Sequence, residues 1–314
     1  MKPEQTVHSP LLFAVNNGQT LPVIEESSQV QLHYEHPNGK LFLGNSLDWL
    51  GTLDNGSVDL VFADPPYNIK KADWDTFESQ EAYIEWSLRW ISQAARVLKE
   101  TGSLYICGYS EILADLKHPS SKYFDSCRWL VWNYRNKANL GNDWGRSHES
   151  ILHLRKSNKF SLRIDSVRIS YGQHTLKYPV HPQAATSNFG NGKEREEQWT
   201  PNPLGAKPKD VIEIPTTCNG MGEKTPHPTQ KPEELLRKLI LAASDDGQMV
   251  IDPFSGSGTA IVVAEQLGRK WAGCDINAQY NRWAIERLEN VRKLPVAEWI
   301  DFDRKNAARR ESIR

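Results

Sequence analysis

Four consecutive residues, Asp64-Pro65-Pro66-Tyr67, carry the clearest chemical signal in the chain. They follow Val58-Asp59-Leu60-Val61-Phe62-Ala63, a mostly apolar run that reads as a buried strand. The motif therefore sits at a strand's C-terminal end, where open α/β sheets place their ligands. Its two prolines fix φ and remove two backbone donors, leaving the local carbonyls to face outward as acceptors. A carboxylate, such a carbonyl and an aromatic face suit a planar amine. Asp64 and the Pro65 carbonyl would accept its N–H groups while Tyr67 stacks on its ring. A rigid turn with a helix-capping Asp is the plainer reading of the same residues.

A second run, Asp252-Pro253-Phe254-Ser255-Gly256-Ser257-Gly258-Thr259, lies between a strand at Met249-Val250-Ile251 and a helix over 259–267. Gly256 and Gly258 can take conformations closed to other residues and let a ligand approach the main chain, next to the free N–H groups of a helix start. The next strand, Trp271-Ala272-Gly273-Cys274, ends at Asp275, close to the offset of about 20 residues at which an acid meets a ribose hydroxyl. The ligand expected here is a cofactor containing a nucleoside. Glycine in such a turn is often purely steric, and the third glycine of the dinucleotide fingerprint is missing, which counts against a nicotinamide-dependent oxidoreductase.

The elements that must hold these loops alternate between strand and helix. Lys40-Leu41-Phe42-Leu43 reads as a strand. Ser79 can cap a long helix to Lys99, whose Ile84, Leu88, Ile91, Ala95 and Leu98 recur at steps of three and four. Leu104-Tyr105-Ile106-Cys107 is a further strand, and Trp129–Trp132 and Ile151–Leu154 suggest two more joined by a long hairpin loop. From about 155 to 225 the periodicity fails. Pro232 then opens a helix buried through Leu235, Leu236, Leu239 and Ile240, and the last helix expected runs over 280–291. Repeated strand–helix units predict a mostly parallel sheet covered on both faces.

At this point the chain resembles the amino-methylating DNA methyltransferases, in which an (Asp/Asn/Ser)-Pro-Pro-(Tyr/Phe) motif binds the target amine and a Phe-x-Gly-x-Gly motif binds S-adenosylmethionine. The amine motif comes first here, the order of the permuted group called the β class. His227-Pro228-Thr229-Gln230-Lys231-Pro232 is similar to the family's motif near the methionine carboxylate. The resemblance implies an α/β, Rossmann-like S-adenosylmethionine-dependent methyltransferase fold, with a seven-stranded mixed sheet and helices on both faces. It implies catalytic roles for Asp64, Pro65, Pro66 and Tyr67. It implies cofactor contacts for Asp252, Phe254, Gly256, Ser257, Gly258, Asp275 and Lys231, and for Asn45, which stands where the family often has an acid. The expected organisation is an N-terminal extension (1–37), a catalytic region with the amine motif (38–134), a target-recognition insert that includes the last sheet hairpin (135–225), a cofactor region (226–295) and a C-terminal tail (296–314). Within the insert, Arg135, Lys137, Trp144, Arg146, Arg155 and Lys156 are candidate contacts to DNA. Arg146-Ser147-His148-Glu149 is similar to a family element and receives no catalytic role.

The implied reaction is methylation of adenine N6 in double-stranded DNA by in-line attack of a flipped base; the initial Asp leans toward adenine, with cytosine N4 the alternative. Methylation at cytosine C5 needs a cysteine that follows a proline, whereas Cys107, Cys127, Cys218 and Cys274 follow Ile106, Ser126, Thr217 and Gly273. Methylation of RNA or of a protein glutamine uses related amine motifs and is disfavoured by the permuted order and the basic insert. That insert carries 14 Lys or Arg against 9 Asp or Glu, although the whole chain has a net charge of −1. The cysteines show no paired spacing, so neither zinc nor a disulfide framework is expected. No run approaches the length of about 20 apolar residues that crosses a bilayer, and Leu11–Val15 is too short for a signal-peptide core, so a cytoplasmic protein is expected. A homodimer and a cognate restriction endonuclease are the further partners considered.

Overall fold

The strand before Asp64 is buried along its whole length, as expected where helices cover both faces of a sheet. In the computed structural model, which describes residues 30–70, 75–134, 142, 144–182 and 198–312, it is the third of eleven strands. The elements run β1 (Gln31–His36), β2 (Gly39–Leu43), α1 (Ser46–Thr52), β3 (Val58–Ala63), α2 (Gln80–Val97), β4 (Leu98–Gly108) and α3 (Ser110–Ser120). They continue with β5 (Ser126–Asn133), β6 (His148–Arg155), α4 (Gln173–Lys177), β7 (His181–Pro182), β8 (Gln198–Trp199) and β9 (Val211–Glu213). The last are α5 (Glu233–Ala243), β10 (Met249–Asp252), α6 (Thr259–Gln266), β11 (Lys270–Asp275), α7 (Ala278–Glu289) and α8 (Val296–Ser312).

Nine strands form one sheet in the order β1-β2-β11-β10-β3-β4-β6-β5-β9; β7 and β8 pair separately. The five strands from β2 to β4 are mutually parallel, and β6 runs antiparallel to both its neighbours. The resemblance implies seven strands, and the two additional ones, β1 and β9, lie at the two edges. Three further expectations need correcting. The extension before residue 38 contains β1, which pairs antiparallel with β2. The tail after residue 295 contains α8, and α7 is therefore not the last helix. Both are half-exposed elements, whose weak apolar alternation hides them from periodicity.

Helices α1, α2 and α3 cover one face of the sheet, and α5, α6 and α7 the other. As expected, Ser79 caps α2 by accepting the Ala82 N–H at 3.1 Å. Tyr83, Trp90, Ile91 and Ala94 then supply its buried face. Leu235, Leu236, Leu239 and Ile240 bury α5 against the other side, each worth about 1.5–3 kcal/mol relative to exposure. From β3 the chain proceeds through α2 to β4, and from β10 through α6 to β11, in opposite directions across the sheet. The boundary between β3 and β10 is thus a topological switch point, which opens a crevice beyond the strand ends. Among the described residues, no helix is long and apolar enough to cross a membrane.

Helix α8 is anchored to α5 by Arg237, a buried cation, and by Arg310, which reaches Glu234 at 2.5 and 2.8 Å. Arg237 of α5, only 3% exposed, reaches Asp303 at 2.7 and 3.0 Å and Glu233 at 3.3 Å, with its guanidinium 4.6 Å from the centre of the Trp299 ring. Removing one partner of a buried pair strands the others, so Arg237→Ala should cost about 3–5 kcal/mol. Urea unfolding together with amide exchange over 296–312 checks this. Full stability with α8 still protected would show that apolar packing and the Arg310–Glu234 pair hold the helix without Arg237.

Candidate active site

The two chemical motifs meet because their strands are neighbours. β3 and β10 pair in parallel register, Leu60 with Val250 and Val61 with Ile251, so Asp64 and the turn after Asp252 leave the sheet side by side at the same end. Between them lie two adjoining cavities whose linings share Asp64, Thr229, Gln230 and Lys231.

The larger cavity, about 370 Å³, is bounded by the 252–260 turn, the start of α1 and the end of β11. Gly256 has φ +51°, and its N–H donates to Asp275 Oδ2 at 2.8 Å. Gly258 has φ +78°, and a Cβ there would stand 2.6 Å from the Ala284 Cβ. Both glycines are therefore required by backbone conformation, and Gly258 also by close packing of α7. The Phe254 ring is held by Trp90 (5.2 Å between ring centres) and Trp86 (5.7 Å), and Trp86 and Phe77 extend the aromatic wall. Asp275 also accepts the Asn277 N–H at 2.8 Å. Burial pushes its carboxyl up to about 6, with the Asn277 and Gly256 N–H groups opposing that rise. Burial drives Asp252 well above the ordinary carboxylate range; the Phe254 N–H opposes this, and Asp64 and Asp275 add to it. Asn45 caps α1 by accepting the Leu47 N–H at 2.8 Å and lines the cavity at its rim. Ser255 Oγ is buried without a hydrogen-bond partner in the lining. An aromatic wall, an acid at a strand end and an orphaned hydroxyl fit a cofactor with a nucleoside portion.

The smaller cavity, about 140 Å³, is lined by Asp64, Pro65, Tyr67, Tyr109, Trp132, Glu149 and Lys231, among others. Asp64 accepts the Tyr67 hydroxyl on Oδ1 and the Lys231 ammonium on Oδ2, each at 2.6 Å. Glu149 Oε2 lies 3.2 Å from the Tyr67 hydroxyl and 3.4 Å from Lys231 Nζ. Burial, with Asp64 and Glu149 nearby, drives Tyr67 well above its ordinary range, so it stays a protonated donor. Burial disfavours the charge on Lys231, but the two carboxylates outweigh it and raise its pKa. The loop itself is tied by Asp75, 1% exposed, whose carboxylate accepts the N–H groups of Tyr67 (2.5 Å), Asn68 (2.8 Å) and Ile69 (3.3 Å).

The sequence-derived residues thus come together, sorted onto two walls. Asp64, Pro65 and Tyr67 face the smaller cavity, while Pro66 faces the larger with Asn45, Asp252, Phe254, Gly256, Ser257 and Asp275. Gly258 lies behind the turn, against α7. Lys231 lines both cavities and spends its charge on Asp64 and Glu149. Glu149, Asp75 and Tyr109 escaped sequence reasoning, although Glu149 belongs to a segment already similar to a family element. Of the candidate DNA contacts, Arg135 and Lys137 lie outside the described residues. Arg146 stands beside the smaller cavity, 3.8 Å over the Tyr109 ring and 2.6 Å from Glu111, and Trp144 is 94% exposed. Arg155 and Lys156 fall at the opposite end of β6 from Glu149, away from both cavities.

Comparison with known proteins agrees with this geometry. The DNA methylase family model matches residues 58–286. The chain is 34% identical over 248 residues to type II methyltransferase M1.MboII of Moraxella bovis, covering 77% of this chain and 93% of that one. It is 32% identical over 255 residues to DNA adenine methyltransferase YhdJ of Escherichia coli, covering 78% and 81%. Among solved structures, PvuII DNA methyltransferase (cytosine-N4-specific) superposes with a TM-score of 0.63 at 17% identity, covering 87% of this chain and 95% of that one.

The glycine turn gives a direct test. Gly258→Ala combines a left-handed strain of about 1–2 kcal/mol with overpacking of about 1–3 kcal/mol against Ala284. A net loss of roughly 2–4 kcal/mol in urea unfolding is expected. An unchanged midpoint would show that α7 can withdraw from the turn.

Proposed function

This chain belongs to the DNA methylase family, and from that premise we propose that it transfers the methyl group of S-adenosylmethionine to the N6 amino group of an adenine flipped out of double-stranded DNA. The observation that carries the proposal is the pair of adjoining cavities with Asp64 in their shared wall. The larger holds the cofactor and the smaller holds the base. Adenine is favoured by the initial Asp of the amine motif and by the relative named as an adenine methyltransferase. The cytosine-N4-specific neighbour shares only the fold at its level of identity.

An exocyclic amine is a poor nucleophile because its lone pair is delocalised into the ring. Asp64 and the Pro65 carbonyl accept its two N–H groups, which draws the nitrogen toward sp³ and localises the lone pair on the side facing the larger cavity. Bound S-adenosylmethionine supplies an electrophilic sulfonium methyl. Asn45, Asp252, Phe254, Gly256, Ser257 and Asp275 form the wall that would hold it, with the Asp275 carboxylate on the ribose hydroxyls and the aromatic wall beside the adenine ring. Catalysis by this chain is then alignment and electrostatics. Extruding the base costs a few kcal/mol. Stacking on Tyr67 and Tyr109 offsets about 1–3 kcal/mol of that. Lys231 is assigned to the Asp64 side of the shared wall rather than to the cofactor's carboxylate.

The type II names of relatives support a restriction–modification setting; a cognate endonuclease as partner and a cytoplasmic location are proposed with it. The domain limits expected from sequence are carried forward with β1 and α8 added to the catalytic unit, and light scattering in solution tests the expected homodimer. Labelled methyl groups should pass to duplex DNA and not to RNA or ribosomal protein, and sequencing of the product should report N6-methyladenine. Labelled RNA or protein would overturn the proposal.

Asp64→Ala should lower transfer by a factor on the order of 10²–10³ or more, while cofactor affinity changes little. Equal loss of both would refute the division into two cavities. Because the ionised form of Asp275 accepts the hydroxyls, cofactor affinity should weaken as pH falls through about 6, and Asp275→Asn should flatten that dependence. The same raised carboxyl adds stability to the free protein over that fall, since protonation relieves its buried charge. Isothermal titration and thermal unfolding at several pH values should therefore move in opposite directions.

A further inference from the structure

Lys231 is 6% exposed and spans the wall between the cavities. It arrives from the loop before α5, while the carboxylates it touches come from β3 and β6. Taking an ammonium out of water is costly, and this one is accommodated because two acids meet it. Without it, Asp64 and Glu149 would be two carboxylates joined only through the Tyr67 hydroxyl, with no cation between them to offset their repulsion. An Asp64 carboxylate pushed out of place by that repulsion would no longer face an amine N–H.

We propose that Lys231 is a positioning residue for methyl transfer: by bridging Asp64 and Glu149 it holds the Asp64 carboxylate turned into the base cavity. This deepens the assignment of the smaller cavity to the target amine and rests on it. The titratable and charged groups around the bridge are Asp64 and Tyr67 after β3, Cys107 of β4 and Tyr109 after it, Tyr134 after β5, Glu149 of β6, Asp252 of β10, and Asp75 and Lys224 in the cavity wall. Lys231, Lys224 and Arg146, whose guanidinium lies over the Tyr109 ring and against Glu111, are the cations around it, and of these Lys231 is the one within 3.4 Å of both Asp64 and Glu149. Asp64 also has the Tyr67 hydroxyl on its other oxygen, so the carboxylate is pinned at both ends, with lone pairs left over for a substrate.

The test is a pH–rate profile at saturating cofactor and DNA. Lys231→Met should lower kcat at neutral pH by about a hundredfold. Its acidic limb should move up by about one to three pH units, because the acids have lost their counter-ion. Lys231→Ala should be partly rescued by methylammonium. In Lys231→Met/Glu149→Gln the upward movement should shrink, since the like charge is gone. Should Lys231→Met fail to fold, Glu149→Gln alone carries the test: with the like charge gone and the ammonium left to Asp64, the acidic limb should move down. Unmoved profiles in these variants overturn the proposal. So does a loss confined to cofactor affinity with kcat preserved, which would place Lys231 on the cofactor. Failure of the amine-binding reading itself shows elsewhere, as transfer that survives Asp64→Ala.

Discussion

The parallel pairing of β3 with β10 is the constraint on which the active site depends. Two residue pairs, Leu60 with Val250 and Val61 with Ile251, set the register of two loops that are 188 residues apart at their leading acids, Asp64 and Asp252. A slip of one residue would turn every side chain of one strand to the opposite face and carry its loop away from the other. Apolar side chains on both faces guard against that slip: Leu60 and Phe62 pack among the helices on one side, Val61 and Ala63 among those on the other. The hydrophobic core therefore fixes the distance between the two cavities.

Onto that rigid base the fold adds a polar cluster that a stability argument alone would not favour. Asp64, Glu149 and Lys231 are all at least mostly buried, and replacing a buried ion group with apolar residues is often neutral or stabilising. The cluster makes sense as an acceptor site held ready. Asp75 performs the matching task for the backbone, taking three successive N–H groups so that the loop after the prolines keeps one shape. The positive φ values of Asn68 and Lys70 fall in that loop. The side chain and the main chain of the amine motif are thus held by different anchors, Lys231 for one and Asp75 for the other.

Much of this was legible in the sequence because its signals are local. Strand burial before Asp64, the Ser79 cap, the glycines of the 252–259 turn and the acid at Asp275 are each decided by residues within one element and its flanks. Glu149 was not legible in the same way. Its place depends on β6 running antiparallel in an otherwise parallel stretch, so that this strand begins where β3, β4 and β10 end. Lys231 was noticed from its motif, but only tertiary distances show its ammonium lying against Asp64 and Glu149. β1 and α8 were missed for the opposite reason: each buries one narrow stripe, and α8 relies on Arg237 and Arg310 for its anchorage.

The charges of the cluster also bear on how two substrates of different character share one wall. Two carboxylates against one ammonium leave the Asp64–Glu149–Lys231 group with a formal excess of one negative charge when both acids are ionised. Burial holds the carboxyl of Asp252, which lines the larger cavity, above the ordinary carboxylate range. The cluster thus puts a net negative charge in the shared wall, the sign that suits a cation in the larger cavity. A lone Asp64 would provide the same sign, but without the ammonium that fixes its position. An unscreened Lys231 would provide the wrong sign. With Glu149 present, the ammonium can secure Asp64 without reversing the field, and for this reason the third member belongs to the machinery rather than to the scaffold.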